Sequence, residues 1–141
     1  LNFVLDTNVV VGLINGRHER LRLQARHALG RGAAFSISSV VLFELWFGVA
    51  NSARFEANAN ALRSFLSRSI EVLPFNADDA RVAGELRATP ETNGTPIGPY
   101  DLLIAAQVLR ANATLITANA SEFQRVPELK IEDWTVYAPV I

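Results

Sequence analysis

Residues 2–16 read NFVLDTNVVVGLING, and this stretch decides the architecture. Phe3, Val4 and Leu5 form a short apolar run that ends at an acid, which predicts a first strand over residues 2–5. Thr7 or Asn8 is the expected cap of a helix that begins at once and ends near Asn15 and Gly16. A strand passing directly into a helix is half of a β–α unit, and the same alternation continues along the chain. Helices are expected over residues 19–30, 39–50 (capped by Ser38 and Ser39), 53–67, 76–88 and 99–112, where proline suits the first turn. Strands are expected over residues 33–37, 70–74, 114–117 and 130–134. Residues 89–99, rich in Pro, Gly, Thr and Asn, read as a loop. Strands separated by helices imply an α/β fold with a mainly parallel sheet and helices on both faces. In such sheets functional groups gather at the carboxyl ends of the strands, where Asp6 and the segment after Thr117 fall.

The composition narrows the chemistry. The chain has 141 residues, half of them hydrophobic and 19% charged, which suits one domain over residues 1–141. A net charge of −1 argues against a uniformly basic nucleic-acid binder, yet it hides an asymmetry. Residues 1–70 hold eight Arg against four acids, and residues 71–141 hold five cations against ten acids. The densest positive stretch contains Arg17, Arg20, Arg22, Arg26 and Arg31, and reads either as a solvated helix face or as an edge that contacts phosphate. With no cysteine, disulfides, thiol catalysis and thiolate metal sites are excluded, and with only His18 and His27 so is a histidine-rich centre. Any metal here is held mainly by oxygen. No apolar run approaches the ~20 residues of a membrane span. Residues 1–13 do not read as a secretory signal, so the expected setting is soluble and cytoplasmic.

Three acids stand in apolar surroundings with no Lys or Arg within four residues. Asp6 follows the first strand, Glu44 interrupts VVLFELWF at 40–47, and Asp101 lies between PIGPY and LLIAA. A carboxylate among large apolar side chains is costly to bury unless it is paired or bound to a cation. Each has a structural alternative: Asp6 and Asp101 as helix-end acids, Glu44 as the solvent edge of its helix. Converging on one cleft, the three make an oxygen-only site for a hard divalent cation.

The segments LDTN at 5–8, the glutamate of the third helix, PIGPYDLLIAA at 96–106 and TLITAN at 114–119, in this order, resemble PIN-domain ribonucleases. The similarity is greatest to the VapC-type toxins of toxin–antitoxin pairs, and extends to Glu122, Phe123, Arg125, Val126, Pro127, Leu129 and Trp134. The resemblance implies a three-layer α/β/α fold with a short, mainly parallel central sheet. It implies that Asp6, Glu44 and Asp101 hold Mg²⁺ or Mn²⁺, with Asn119 as a fourth catalytic position where family members often carry Asp. Thr7, Asn8 and Thr117 would orient these groups, and Glu122 is either a compensating carboxylate or a surface acid. The implied reaction is hydrolysis of an RNA phosphodiester by water whose pKa the metal lowers. The implied partners are an RNA substrate, approached by Arg17, Arg20, Arg22 and Arg26, a cognate antitoxin and a second copy of the chain. The third helix is apolar almost all round, so Phe43, Trp46 and Phe47 belong either to the core or to an interface with such a partner. Two other readings remain open: an inactive PIN-like binding module and a PIN nuclease of RNA maturation.

Overall fold

The computed structural model describes residues 1–94 and 97–136. Its elements in chain order are β1 (Asn2–Leu5), α1 (Thr7–Asn15), α2 (Glu19–Gly30), β2 (Ala34–Ser38), α3 (Ser39–Ala50), α4 (Phe55–Leu66), β3 (Ile70–Leu73) and α5 (Ala77–Arg87), followed by α6 (Pro90–Asn93), α7 (Pro99–Arg110), β4 (Thr114–Ile116), α8 (Ala120–Phe123) and β5 (Lys130–Glu132). The strands form one parallel sheet in the order β3-β2-β1-β4-β5. β1 is central, and Phe3, Val4 and Leu5 are all buried rather than alternating, because helices cover both faces of a parallel sheet. The edge strands β3 and β5 carry Glu71, Lys130 and Glu132, whose charges discourage pairing with another sheet edge.

Connections between parallel neighbours are right-handed, which puts the helices joining β1, β2 and β3 on one face. There α1 packs on α2, α3 and α4; α5 packs on α7, within the crossover that returns the chain from β3 to β4. The direction of strand order reverses beside β1, and this reversal opens a crevice at the carboxyl ends of β1 and β4. At the opposite end of the sheet, Trp134 packs on Phe3 and Phe35, with ring centroids 5.2 and 5.9 Å away.

Local chemistry accounts for the boundaries. Ser38 caps α3 by accepting from the Val40 N–H. Asn76 and Asp79 form a reciprocal capping box at the start of α5. Gly16 ends α1 at φ 66°, in the left-handed region where a side chain is disfavoured. Gly12 lets α1 approach α2, since a Cβ there would lie 2.7 Å from Leu21 Cδ2.

The exposed His18 caps α2, where its Nδ1 accepts from the Leu21 N–H. Two expectations are corrected. The cap of α1 is Asp6, which accepts from the Thr7 N–H, and neither Thr7 nor Asn8 has that role. The expected loop over 89–99 contains α6, which Thr92 pins by donating to the Leu86 carbonyl; Thr95 and Pro96 lie outside the described residues.

Candidate active site

Asp6 leaves β1 at the crevice and is 4% exposed. Its Oδ1 accepts from the Thr7 N–H at 2.8 Å, and its Oδ2 accepts from Thr117 Oγ1 at 2.7 Å and Asn8 Nδ2 at 3.3 Å. Thr117 follows β4, so pairing of β1 with β4 is what joins residues 111 positions apart. Asn8 also ties the two strand ends, since its Oδ1 accepts from the Ala118 N–H at 3.1 Å. Burial pushes the Asp6 carboxyl above its usual range; Thr117, the Thr7 N–H and Asn8 oppose that, and the charge of Glu122 adds to it.

Glu44 reaches the site from the middle of α3, where Oε1 accepts from Thr7 Oγ1 at 2.7 Å. Asp101 lies in the first turn of α7, after Pro99. Its carboxyl is pushed up to about 7, first by burial and then by the charges of Asp6 and Glu122, a hydrogen bond to Glu122 and the charge of Glu44. Glu122 comes from α8. Its Oε1 accepts from the Gly98 N–H at 2.7 Å and its Oε2 from Asn119 Nδ2 at 2.5 Å. These contacts hold its carboxyl below the usual range: Gly98 first, then Asn119, Asp101 and Arg125, against partial desolvation. A Cβ on Gly98 would sit 3.5 Å from Asp101 Oδ2 and 3.6 Å from Glu122 Oε1, so this residue lies in contact with both carboxyls.

The fold thus brings Asp6, Thr7, Asn8, Glu44, Asp101, Thr117, Asn119 and Glu122 to one place. Of the two readings of Glu122, its contacts support membership of the cluster. Among the described residues no ion pair neutralises Asp6, Glu44 or Asp101. Nor do three of the acids already stand in a closed coordination cluster, since Thr7 holds Glu44 and Gly98 and Asn119 hold Glu122. The donor set is oxygen-only and acidic, which fits a hard divalent cation. A mostly apolar cleft of about 350 Å³ adjoins the cluster, with Thr7 and Glu44 at its rim and Val11, Leu45, Gly48 and Leu62 in its lining.

Other expected site residues lie elsewhere. Arg22 and Arg26 border a separate pocket together with Phe35 and Ile70, at the amino-terminal ends of β2 and β3. Arg20 Nε donates to the Val136 carbonyl, and Arg17 is exposed ahead of α2. On α3 the core takes Val41, Leu45 and Val49; Phe43 and Phe47 stay 52% and 62% exposed. Phe43 meets Tyr100 at a centroid separation of 5.4 Å, and the half-buried Trp46 lies beneath the Arg63 guanidinium. Sequence reasoning missed Asp79, a further buried acid. Its role is structural: it closes the capping box of α5 and pairs with Arg110 at 2.8 Å.

The described residues thus form a parallel α/β protein with an acidic, oxygen-donor crevice at the carboxyl ends of its central strands. The sequence matches the PIN domain family over residues 3–129. It is 42% identical to ribonuclease VapC2 of Rickettsia felis over 132 residues, covering 94% of this chain and 97% of that protein. It is 37% identical over 134 residues to the tRNA(fMet)-specific endonuclease VapC of Salmonella typhimurium, covering 95% and 98%. The fold is similar to a chain in the crystal structure of VapBC2 from Rickettsia felis bound to a DNA fragment from its promoter, with a TM-score of 0.86, 37% identity, and coverage of 95% and 99%. The chain belongs to the PIN-domain family, among the VapC ribonucleases.

Proposed function

We propose that this chain is the toxin of a toxin–antitoxin pair, an endoribonuclease that hydrolyses RNA phosphodiesters at the Asp6–Glu44–Asp101 crevice with Mg²⁺ or Mn²⁺. One observation carries the assignment of the site. Four carboxyl groups from β1, α3, α7 and α8 converge, no ion pair neutralises Asp6, Glu44 or Asp101 among the described residues, and burial with the neighbouring acids pushes Asp101 up to about 7. Asp6, Asp101 and Glu44 would hold the divalent cation, which when bound supplies Lewis acidity to water and to the phosphoryl oxygens. Asn8 and Thr117 fix the Asp6 carboxylate, and Thr7 aims Glu44. Asn119 supplies an amide where the resemblance expects an acid, and that amide anchors Glu122, which restores the missing charge nearby. Protonated Asp101 donates a hydrogen bond to the Glu122 carboxylate, and a bound cation would favour the Asp101 carboxylate, its proton leaving to solvent.

The likeness to VapBC assemblies supports a cognate antitoxin as partner. The apolar cleft beside Glu44 offers a seat for a segment of that partner, which would block the crevice. The exposed Phe43 and Phe47 support a homodimer contact. No helix among the described residues is long and apolar enough to cross a membrane, in line with a cytoplasmic site of action on cellular RNA. The test is cleavage of RNA by the purified chain, freed from any partner, with Mg²⁺ or Mn²⁺ and with Asp6→Asn and Asp101→Asn as controls. Cleavage is expected from the parent alone; equal cleavage by both variants sinks the site assignment, and no cleavage under any condition favours an inactive binding module.

A further inference from the structure

We propose that a second pocket, rimmed by Arg22, Arg26 and Arg68 at the amino-terminal end of the sheet, binds an unpaired nucleotide of RNA as an anchor remote from the carboxylate crevice. The proposal rests on the ribonuclease reading and extends it to how the substrate is held. The pocket has a volume of about 420 Å³ and an apolar lining that includes Leu13, Phe35, Phe65 and Ile70. No acid lines it, and among the described residues no carboxylate pairs with any of the three arginines. Arg68 comes from the turn between α4 and β3, far in sequence from Arg22 and Arg26, so the cluster is made by the fold and not by one helix face.

Helix-end electrostatics does not explain the trio. Arg26 lies toward the end of α2 and Arg68 just beyond α4, where the helix dipole favours a cation. Arg22, however, lies near the start of α2, where the same dipole opposes one. An apolar hollow ringed by guanidinium groups matches a nucleotide: the base enters the hollow and the flanking phosphates take the arginines. An acidic peptide would also meet the guanidinium groups, but the apolar hollow beneath them matches a planar base. β2 spans Ala34–Ser38, about 13 Å at ~3.3 Å per residue, with the pocket at one end and the crevice at the other. An RNA that touches both therefore runs along the length of the strand.

The experiment measures RNA binding in the Asp101→Asn background, so that cleavage does not intrude and failure of the catalytic reading is scored separately. The probes are a full-length tRNA transcript and a trinucleotide. The triple variant R22A/R26A/R68A is expected to bind the transcript ~10-fold more weakly and to lower the slope of log affinity against log salt by about 2, or ~0.7 per lost contact. The trinucleotide, which can itself enter the pocket, is expected to weaken as well, and the R22K/R26K/R68K variant should recover most of the salt slope. Circular dichroism of both variants separates these effects from misfolding, and R68A alone gives a third of the slope change. The proposal is overturned if the triple variant binds the transcript with parental affinity and slope. It is overturned too if RNA binding stands while co-purification with a protein partner is lost, which would make the pocket a dock for an acidic segment.

Discussion

The Asp101 carboxyl is pushed up to about 7 by burial, three neighbouring acids and a hydrogen bond to Glu122. Its ordinary value is 3.8, so between about pH 4 and about 7 the folded chain binds a proton that the unfolded chain has released. Stability without metal therefore falls as pH rises through that window and levels off above it. Glu122 is shifted the other way; its contribution is complete above its ordinary 4.5 and does not mask the trend. In EDTA, the melting temperature of the parent minus that of Asp101→Asn is expected to decline from pH 4 to 7, and a flat difference would show that the carboxyls are not crowded in solution. Adding Mg²⁺ at pH 7.5 should raise the melting temperature of the parent and not of the variant. Asp6→Asn is expected to lower cleavage by ~10²–10⁴-fold, the range typical of losing a group engaged in proton or charge handling, with little loss of stability. The amide still caps α1 through its oxygen. A Thr117→Val change should reduce cleavage less, through loss of the hydroxyl that orients Asp6.

The elements separate acids that act from acids that build. Asp79 is as buried as Asp6 but spends its oxygens on the Asn76 N–H and on Arg110. Asp79→Ala is expected to cost about 1–2 kcal/mol in urea unfolding through the lost capping box, while cleavage per folded molecule stays at the parental rate. A fall in cleavage without a fall in stability would reverse that assignment. Gly16→Ala is expected to destabilise by about 1 kcal/mol, because alanine must adopt the left-handed geometry that ends α1. Most elements were legible from local pattern: β1, α2 and the cap of α3 follow from apolar runs, spacing and a serine pair. The boundaries that moved are those where a side chain competes for the cap, as Asp6 does against Thr7. Helix α6 escaped notice because it is held by Thr92 reaching back to Leu86, a contact that turn-forming residues conceal.

At the scale of the molecule, the identity of Asp6, Glu44 and Asp101 as a set was readable from their apolar settings, and their geometry was not. It depends on which strands become neighbours. Nothing local to Glu122 announces that Gly98 will donate to it from 24 residues away, nor that Arg22 and Arg26 will face away from the acids. The third helix divides as neither simple reading required, one side into the core and Phe43 and Phe47 outward. Replacing both by Ser is expected to shift the chain toward monomer in light scattering, and an unchanged mass would exclude that face from the dimer contact. The pairing of β1 with β4 has a further consequence, in the time of synthesis. Residues of the amino-terminal strand leave the ribosome first, but Asp6 gains Thr117, Asp101 and Glu122 only after β4 has been made and inserted beside β1. At ~5–20 residues per second, the nascent chain carries no assembled crevice for about 5–20 s. A toxin with this topology is harmless while it is being translated, and a partner made alongside it has that interval in which to be present first.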